Sequence, residues 1–236
     1  MPAYNAGATL YETYINIPLD IVDDIILVDD CSTDNTVEVA KTLKIKTIVH
    51  NKNLGYGANQ KTCYSEFLKT DCDIVIMLHP DFQYDPKLIP ALASMIAYDN
   101  YDCAVASRFL MQSALKSKMP KYKYIANRFL TILQNICLNK GLSEYHSGYR
   151  AFKRSVIEKI DFKNLDNDFI FDNQFLALVL YNNFSIGEIS CPTKYFDAAS
   201  SINFLRSLKY GIGVVSVSLL YLLSRFGIKL SIFNKK

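Results

Sequence analysis

Residues 24–36 read DIILVDDCSTDNT, and their pattern is the clearest indication of the fold class. An apolar run within residues 24–28 ends in two adjacent carboxylates, Asp29 and Asp30. A short unbroken apolar run of this kind predicts a buried strand. Asp34 or Asn35 can then cap a helix that begins at Thr36. The stretch therefore predicts a strand, a polar loop and a helix, which is the repeating unit of a parallel sheet.

The same alternation continues along the chain. Further strands are predicted at residues 46–50, 73–78, 101–107 and 185–190, and helices at residues 36–43, 57–69, 86–98, 122–138, 171–182 and from 203 onward. Strands that alternate with helices of this length predict an α/β fold, with a mainly parallel sheet covered by helices on both faces. Ligands of such sheets bind beyond the carboxyl ends of the strands. The polar residues at those ends are therefore the candidates for a functional site.

The 236 residues, half of them hydrophobic, are enough for one sizeable core. We expect a main domain over residues 1–200 and a helical extension over 201–236. Residues 2–5 (PAYN) have the pattern of a loop that follows a strand, so we expect the first, central strand to be missing or shortened. The weakly charged residues 210–224 fall short of the roughly 20 that span a bilayer. We expect this segment to pack on the domain or to lie in a membrane interface, with a membrane-spanning helix as the alternative.

The net charge of +3 is too small to indicate a nucleic-acid-binding protein. The charge is uneven, however, because residues 103–143 and 198–236 contain lysines and arginines but no acidic residue. This pattern favours contact with phosphates, either of a lipid surface or of a lipid-linked acceptor, although solvated helix faces would look the same. The six cysteines form no C-x-x-C pair, which argues against zinc. With no secretory signal at the start, we expect a cytoplasmic protein with reduced cysteines.

Two loops after predicted strands are candidates for nucleotide binding. The adjacent carboxylates Asp29 and Asp30 repel each other, unless one faces a base or ribose and the other a metal or backbone donors. An ordinary strand-to-helix loop with a helix cap is the alternative. Residues 53–60 (NLGYGANQ) form a glycine-containing turn that opens a helix and can let a ligand approach the backbone. The turn lacks the third glycine of a dinucleotide fingerprint.

The candidate metal site lies in residues 77–86 (MLHPDFQYDP). His79, Asp81 and Gln83 occupy alternate positions, and in an extended chain all three would point to one side. Imidazole and oxygen ligands of this kind suit Mg²⁺ or Mn²⁺. The alternative makes Asp81 or Asp85 a turn residue beside a proline.

Taken in order, these segments resemble the family 2 glycosyltransferases with the GT-A fold, and in particular their dolichyl- and polyprenyl-phosphate sugar synthase branch. The resemblance covers nearly the whole chain. It is carried by PAYN at residues 2–5, VDDCSTDNT at 28–36, NLGYGA at 53–58, VASR at 105–108, HSGYR at 146–150 and EISCP at 188–192.

The resemblance implies a role for each matching residue. The nucleotide-sugar site would be formed by Pro2, Tyr4, Asn5, Asp29, Asp30, Gly57 and His79. A bound Mn²⁺ or Mg²⁺ would be held by Asp81 and Gln83, with His79 as a third ligand. The catalytic residues would be Asp81, Arg108 and Asp172, with Arg108 close to the diphosphate or to an acceptor phosphate.

Two departures from the family pattern affect these expectations. The usual D-x-D motif is here H-P-D, and the softer His79 favours Mn²⁺, unless it only holds a ribose hydroxyl. In residues 171–175 (FDNQF), Gln174 stands where the family often has an acid, and Asp172 remains as the carboxylate. An acceptor hydroxyl needs a general base, which Asp172 could supply. An acceptor phosphate is already anionic and needs none.

The expected function is transfer of a sugar from a UDP- or GDP-sugar to a polyprenyl phosphate or a glycan hydroxyl, by direct displacement. We expect peripheral attachment to the cytoplasmic face of a membrane and no nucleic-acid partner, and the sequence makes no prediction of an oligomeric state. One alternative is a nucleotidyltransferase, although its glycine- and basic-rich phosphate loop is not seen. The other is a non-catalytic scaffold that binds nucleotide sugars.

Overall fold

A computed structural model describes residues 1–110, 119–193, 204–228 and 230–233. The first part of the chain forms a parallel sheet of three strands: β1 (Pro2–Ala3), β2 (Ile26–Asp29) and β3 (Lys46–Val49), in that order. β1 has only two residues, and it pairs Pro2 with Val28 and Ala3 with Asp29. Helices α1 (Gly7–Ile15), α2 (Thr36–Thr42) and α3 (Tyr56–Phe67) follow the three strands in turn.

A second sheet contains β4 (Ile74–Met77), β5 (Cys103–Ser107), β6 (Arg150–Lys153) and β7 (Ile186–Ser190), in the order β4-β6-β5-β7. β5 and β7 are parallel, whereas β6 runs antiparallel to both of its neighbours. The expectation of a mainly parallel α/β fold is confirmed, but the sequence analysis missed β6. β6 begins at Arg150, the last residue of the HSGYR segment, and its four residues have no pattern of their own that separates a strand from a loop.

Both sheets contribute to two hydrophobic clusters, one on each face. One cluster joins Val28 of β2 to Phe152 of β6, and the other joins Leu27 of β2 to Ala104 of β5. Adjacent residues of a strand point to opposite faces, so Leu27 and Val28 belong to different clusters. The two sheets therefore form one layer with a core above and a core below.

The remaining helices are α4 (Ile89–Ala97), α5 (Lys121–Leu138), α6 (Arg154–Lys159), α7 (Phe171–Tyr181) and α8 (Phe204–Arg225). A 3₁₀ turn at Pro86–Leu88 leads into α4, and Asp85 accepts a hydrogen bond from the Lys87 backbone N–H (3.0 Å). The predicted helices are confirmed with small shifts at their ends, whereas α1 and α6 were not predicted.

Helix α8 packs against α5 and α7. Val214, Val217 and Tyr221 are buried on one side of the helix, whereas Leu208 and Ile212 are exposed on the other. Among the described residues, Arg206–Arg225 is long and apolar enough to cross a membrane by length and composition, a criterion that core helices of soluble proteins also meet. The apolar helix is thus longer than the segment identified from sequence, and it packs on the domain with one face only.

Candidate functional site

A cavity of about 840 Å³ opens beyond the carboxyl ends of β4 and β5. Its polar end is formed by His79, Asp81, Gln83, Arg108 and Asp172. Its apolar wall comes from α5 and α8 and includes Phe129, Leu130, Leu208, Ile212, Val215 and Leu219. The site therefore joins charged groups at a strand edge to an apolar channel between two helices.

The backbone turns between Asp81 and Gln83, and the two side chains contact each other. Asp81 accepts hydrogen bonds from the Gln83 backbone N–H (3.1 Å) and from Gln83 Nε2 (2.9 Å). Phe82 lies between them with a positive φ of 53°. The extended chain assumed from the spacing is therefore wrong. His79, Asp81 and Gln83 nevertheless line the same cavity, because the turn brings them together.

The described residues contain no group of three or more His, Cys, Asp or Glu side chains that could hold a metal ion. Asp81 and His79 line one cavity, and Gln83 is in contact with Asp81. Magnesium sites in nucleotide-dependent enzymes often use one or two carboxylates and complete their coordination with substrate phosphates. The residues fit a cation that is held jointly with a diphosphate, and they do not form a cage that would hold one alone.

Tyr56 connects His79 to Asp172 at the polar end of the cavity. Its hydroxyl donates to Asp172 Oδ2 (2.7 Å) and lies 3.3 Å from His79 Nε2, and the Tyr56 and His79 rings stack with centroids 5.5 Å apart. Gln60 Nε2 donates to Asp172 Oδ1 (3.0 Å), and Arg150 Nη1 lies 3.7 Å from the same oxygen. Both oxygens of this carboxylate are therefore engaged by the protein.

Burial sets the protonation of the Tyr56 and His79 side chains. Burial raises the pKa of Tyr56 well above its usual value, and the nearby Asp172 charge adds to this effect. Burial also lowers the pKa of His79, against the opposing influence of Asp81 and Asp172. The phenol therefore keeps its proton and the imidazole stays neutral, which leaves a ring nitrogen able to bind a cation. Tyr56 was missed by sequence reasoning, although it stands between the two glycines of the 53–60 turn.

Glu144, which the sequence analysis also missed, holds Arg108 in place. It is fully buried and accepts hydrogen bonds from the Arg108 backbone N–H (2.8 Å), from Nε (2.8 Å) and from Nη2. Lys123 of α5 lines the same cavity, and its pKa is lowered by burial and then by the Arg108 charge. A bound anion would stabilise both cations.

The residues expected around the nucleoside lie at the carboxyl ends of β1 and β2, and they are held by hydrogen bonds within the protein. Asp30 accepts hydrogen bonds from the backbone N–H groups of Leu54 and Gly55 (2.9 Å each), and its Oδ1 lies 2.8 Å from His50 Nδ1. Asp29 accepts from the Ser32 backbone N–H (2.9 Å). The two adjacent carboxylates are thus satisfied by donors from different loops.

Asn5, Gly57, Pro2 and Tyr4 complete the set expected around the nucleoside. Asn5 Oδ1 accepts from the Thr33 backbone N–H (2.8 Å), which ties the first loop to the VDDCSTDNT loop. Gly57 packs so closely on the 166–168 segment that a Cβ would lie 2.6 Å from the Asp166 carbonyl oxygen. Pro2 is buried and Tyr4 is half exposed. None of the four lines the large cavity, so their nucleotide-binding role stays a prediction.

His146 links the HSGYR segment to α8. Its Nδ1 lies 2.9 Å from the Tyr210 hydroxyl, and its buried Nε2 has no hydrogen-bond partner among the described residues. Burial lowers the pKa of His146 to about 3, and the charges of Arg108 and Arg150 act in the same direction. The ring is therefore neutral at neutral pH and joins the apolar wall of the cavity to its polar end.

Two proteins of related sequence cover most of this chain. A UDP-N-acetylglucosamine–dolichyl-phosphate N-acetylglucosaminyltransferase of Methanococcus voltae is 26% identical over 212 residues, which cover 83% of this chain and 84% of that protein. An uncharacterised protein of Methanocaldococcus jannaschii is 27% identical over 201 residues, which cover 85% of this chain and 82% of that protein. Neither match reaches 30% identity.

Among solved structures, glucosyl-3-phosphoglycerate synthase of Mycobacterium tuberculosis in complex with UDP superposes with a TM-score of 0.70 at 18% identity, over 98% of this chain and 79% of that one. The same enzyme has been solved with Mn²⁺, UDP-glucose and phosphoglyceric acid, with a TM-score of 0.67. At this level of identity the likeness shows the fold, which is GT-A.

The family model of glycosyl transferase family 2 matches residues 1–161, more than half of the chain. The match contains the VDDCSTDNT and NLGYGA loops, the HPD turn and the HSGYR segment. It decides against the nucleotidyltransferase alternative. The chain belongs to glycosyl transferase family 2 and is a glycosyltransferase.

Proposed function

We propose that this glycosyltransferase moves a sugar from a UDP-sugar to a polyprenyl phosphate, with Mn²⁺ or Mg²⁺ bound at the diphosphate. The observation that supports this acceptor is the composition of the cavity, in which Asp81, Arg108 and Lys123 lie next to an apolar wall from α5 and α8. A prenyl phosphate has the same two parts, an anionic head and an apolar chain.

The donor would bind at the carboxyl ends of β1, β2 and β4. Its nucleoside would lie against Pro2, Tyr4, Asn5, Asp29, Asp30 and Gly57, and its diphosphate would extend towards His79, Asp81 and Gln83. The M. tuberculosis enzyme of the same fold has been solved with UDP and with Mn²⁺, which supports this donor and this cofactor. His79 favours Mn²⁺ over Mg²⁺, because imidazole is a softer ligand than carboxylate.

The environment of Asp172 favours a phosphate acceptor over a hydroxyl acceptor. Its carboxylate already accepts hydrogen bonds from Tyr56 and Gln60 and faces Arg150, so a hydroxyl proton would have to compete with these donors. A phosphate is anionic near neutral pH and needs no general base. The M. voltae relative is named for a dolichyl-phosphate acceptor, which supports the same choice.

In the proposed reaction an oxygen of the acceptor phosphate forms a bond to the anomeric carbon, while the bond from that carbon to the donor diphosphate breaks. The bound cation would offset the charge that develops on the leaving diphosphate. Arg108, held by Glu144, and Lys123 lie where they can balance the charge of the two phosphate groups. Asp172 and Tyr56 would position His79 and would not take part in proton transfer.

We also propose that residues 1–200 carry the sheet and the polar end of the site, and that residues 201–236 complete the cavity through α8 and hold the chain at the cytoplasmic face of a membrane. Residues 201–203, which begin this extension, lie outside the described part of the chain. Residues 204–225 form α8, whose exposed apolar side chains and lack of acidic residues support contact with a membrane.

The test is a panel of UDP- and GDP-sugars with Mn²⁺ or Mg²⁺, each assayed with a short-chain prenyl phosphate and with a glycan that offers only hydroxyl groups. We expect UDP release that requires the prenyl phosphate, together with a glycosyl phosphoprenol detected by mass spectrometry. Transfer to the glycan alone would overturn the proposed acceptor. Binding of the donor with no product from the prenyl phosphate would also overturn the proposed acceptor.

A further inference from the structure

Helix α5 exposes a continuous apolar stripe. Five apolar side chains, each between 50% and 73% exposed, recur at intervals of three and four residues: Tyr122, Ile125, Phe129, Ile132 and Ile136. This spacing places all five on one face of the helix. The opposite face, with Leu130, Gln134 and Leu138, is buried. Single exposed apolar residues need no explanation, but a stripe along a whole helix indicates an interaction surface.

Helix α8 adds a second stripe beside the first. Leu208, Ile212, Leu219 and Leu223 are each more than 40% exposed, and α8 packs directly against α5. Residues from both stripes, among them Tyr122, Phe129, Leu208 and Leu219, also line the cavity. The exposed apolar face is therefore continuous with the apolar wall of the site, and the cavity opens between the two helices.

The charges carried by the two helices themselves are of one sign. Neither α5 nor α8 contains an acidic residue. Lys121 and Lys140 are exposed at the two ends of α5, and Arg206 is exposed near the start of α8. An apolar face bordered by cations complements an anionic bilayer, whose headgroups attract lysine and arginine while its acyl chains receive the apolar side chains.

We propose that α5 and α8 together form a docking face for an anionic membrane, and that the cavity opens towards the bilayer between them. The prenyl chain of the acceptor would then reach the site from the lipid phase without crossing water. This inference rests on the proposed function for the identity of the acceptor, but the docking face itself can be tested alone.

The test is co-sedimentation of the full chain with vesicles of phosphatidylcholine and phosphatidylglycerol. We compare Ile125→Gln/Ile136→Gln, two stripe residues that do not line the cavity, with the matched control Tyr11→Gln/Ile15→Gln on α1. Loss of two inserted side chains should weaken vesicle binding by about a hundredfold. The control should bind like the unchanged chain. A charge-reversed variant, Lys121→Glu/Lys140→Glu, should lose binding to the anionic vesicles even if the apolar variant proves unstable.

Turnover with a short, water-soluble prenyl phosphate separates this inference from the proposed function. We expect the α5 variant to keep this activity while losing transfer to a long-chain prenyl phosphate in vesicles. If the unchanged chain turns over the soluble acceptor but stays in the supernatant with vesicles, the docking face and the proposed membrane attachment are wrong, and the proposed reaction stands. If the chain binds vesicles through α5 but transfers to no prenyl phosphate, the acceptor is wrong and the docking face stands. A stable dimer that the α5 substitutions dissociate would also overturn the inference.

Discussion

Tyr56 determines how His79 and Asp172 face the cavity, because its hydroxyl lies within hydrogen-bonding distance of both. We expect Tyr56→Phe to leave the stacked rings in place and to leave Asp172 Oδ2 without its donor. A buried acceptor that loses its partner costs about 1–3 kcal/mol. The free energy of unfolding, measured in urea, should fall by this amount. Tyr98→Phe, on an exposed tyrosine, should leave it unchanged, and an equal effect of both would contradict this assignment.

Asp81 lines the cavity and is the carboxylate proposed to hold the cation at the diphosphate. We expect Asp81→Ala to lower kcat by at least about a hundredfold, because charge stabilisation in the transition state would be lost. Asp85 provides the matched control, since its carboxylate accepts from the Lys87 backbone N–H and is absent from the cavity wall. Asp85→Ala should cost about 1 kcal/mol of stability and leave turnover near normal. Initial rates over a range of Mn²⁺ concentrations check both. Normal turnover of Asp81→Ala would remove Asp81 from the site.

Among the secondary-structure elements, the segment between α5 and β6 carries Glu144, a site residue that sequence reasoning did not find. The strands β2, β4 and β5 are recognisable in the sequence as apolar runs that end in polar residues. Asp81 and Arg108 follow two of these runs and were therefore predicted as site residues. Glu144 lies 36 positions from Arg108 and in no periodic pattern, so only the folded chain shows that the two pair. For the same reason β6, which is defined by its neighbours β4 and β5, was not predicted.

The Arg108–Glu144 pair leads to a prediction for this segment. We expect Glu144→Gln to keep the shape of the side chain but to remove the negative charge that Glu144 places against Arg108, which is only 12% exposed. Breaking a buried ion pair costs about 3–5 kcal/mol. Thermal and urea unfolding should show this loss. Because the cavity gains positive charge, UDP should bind more tightly than to the unchanged chain, as measured by calorimetry. Unchanged stability and unchanged UDP affinity would mean that the pair has no such role.

The burial of His146 should make the free energy of unfolding depend on pH. The pKa of His146 is about 3 in the folded chain and about 6.5 when unfolded, so the unfolded state binds the extra proton first as the pH falls. This contribution to stability is fully present above pH 6.5 and is lost as the pH falls towards 3, at up to about 1.4 kcal/mol per pH unit. Tyr210, Arg108 and Arg150 are the polar and charged groups that act on the ring.

We expect His146→Gln to flatten the pH dependence of the free energy of unfolding between pH 6.5 and 4. His50, which lies beside Asp30 away from α8, provides the comparison, and His50→Gln should leave the part of the slope due to His146 in place. An unchanged slope in His146→Gln would show that other groups, His79 among them, cause the acid dependence.

At the scale of the whole molecule, the sequence predicts the layer of strands and helices but leaves the role of the C-terminal helix open. Either packing on the domain or contact with a membrane was compatible with the apolar stretch at residues 210–224. The structure shows a helix with two different faces. One contributes Val217 and Tyr221 to the same cluster as Val28, and the other carries the exposed stripe. The sequence pattern could not predict which face of α8 is buried, because both faces are apolar. Only the folded structure shows which face packs against the domain.

Deletion of residues 201–236 should therefore unfold the domain as well as release it from membranes. Burial of Val214, Val217 and Tyr221 contributes about 1.5–3 kcal/mol each. Their joint loss is comparable to the whole stability of a typical domain, about 5–15 kcal/mol. We expect the shortened chain to be insoluble, or to lack a cooperative thermal transition by circular dichroism. If residues 1–200 alone are soluble and fold cooperatively, this prediction is wrong. Helix α8 would then be a separable segment that serves only for membrane attachment.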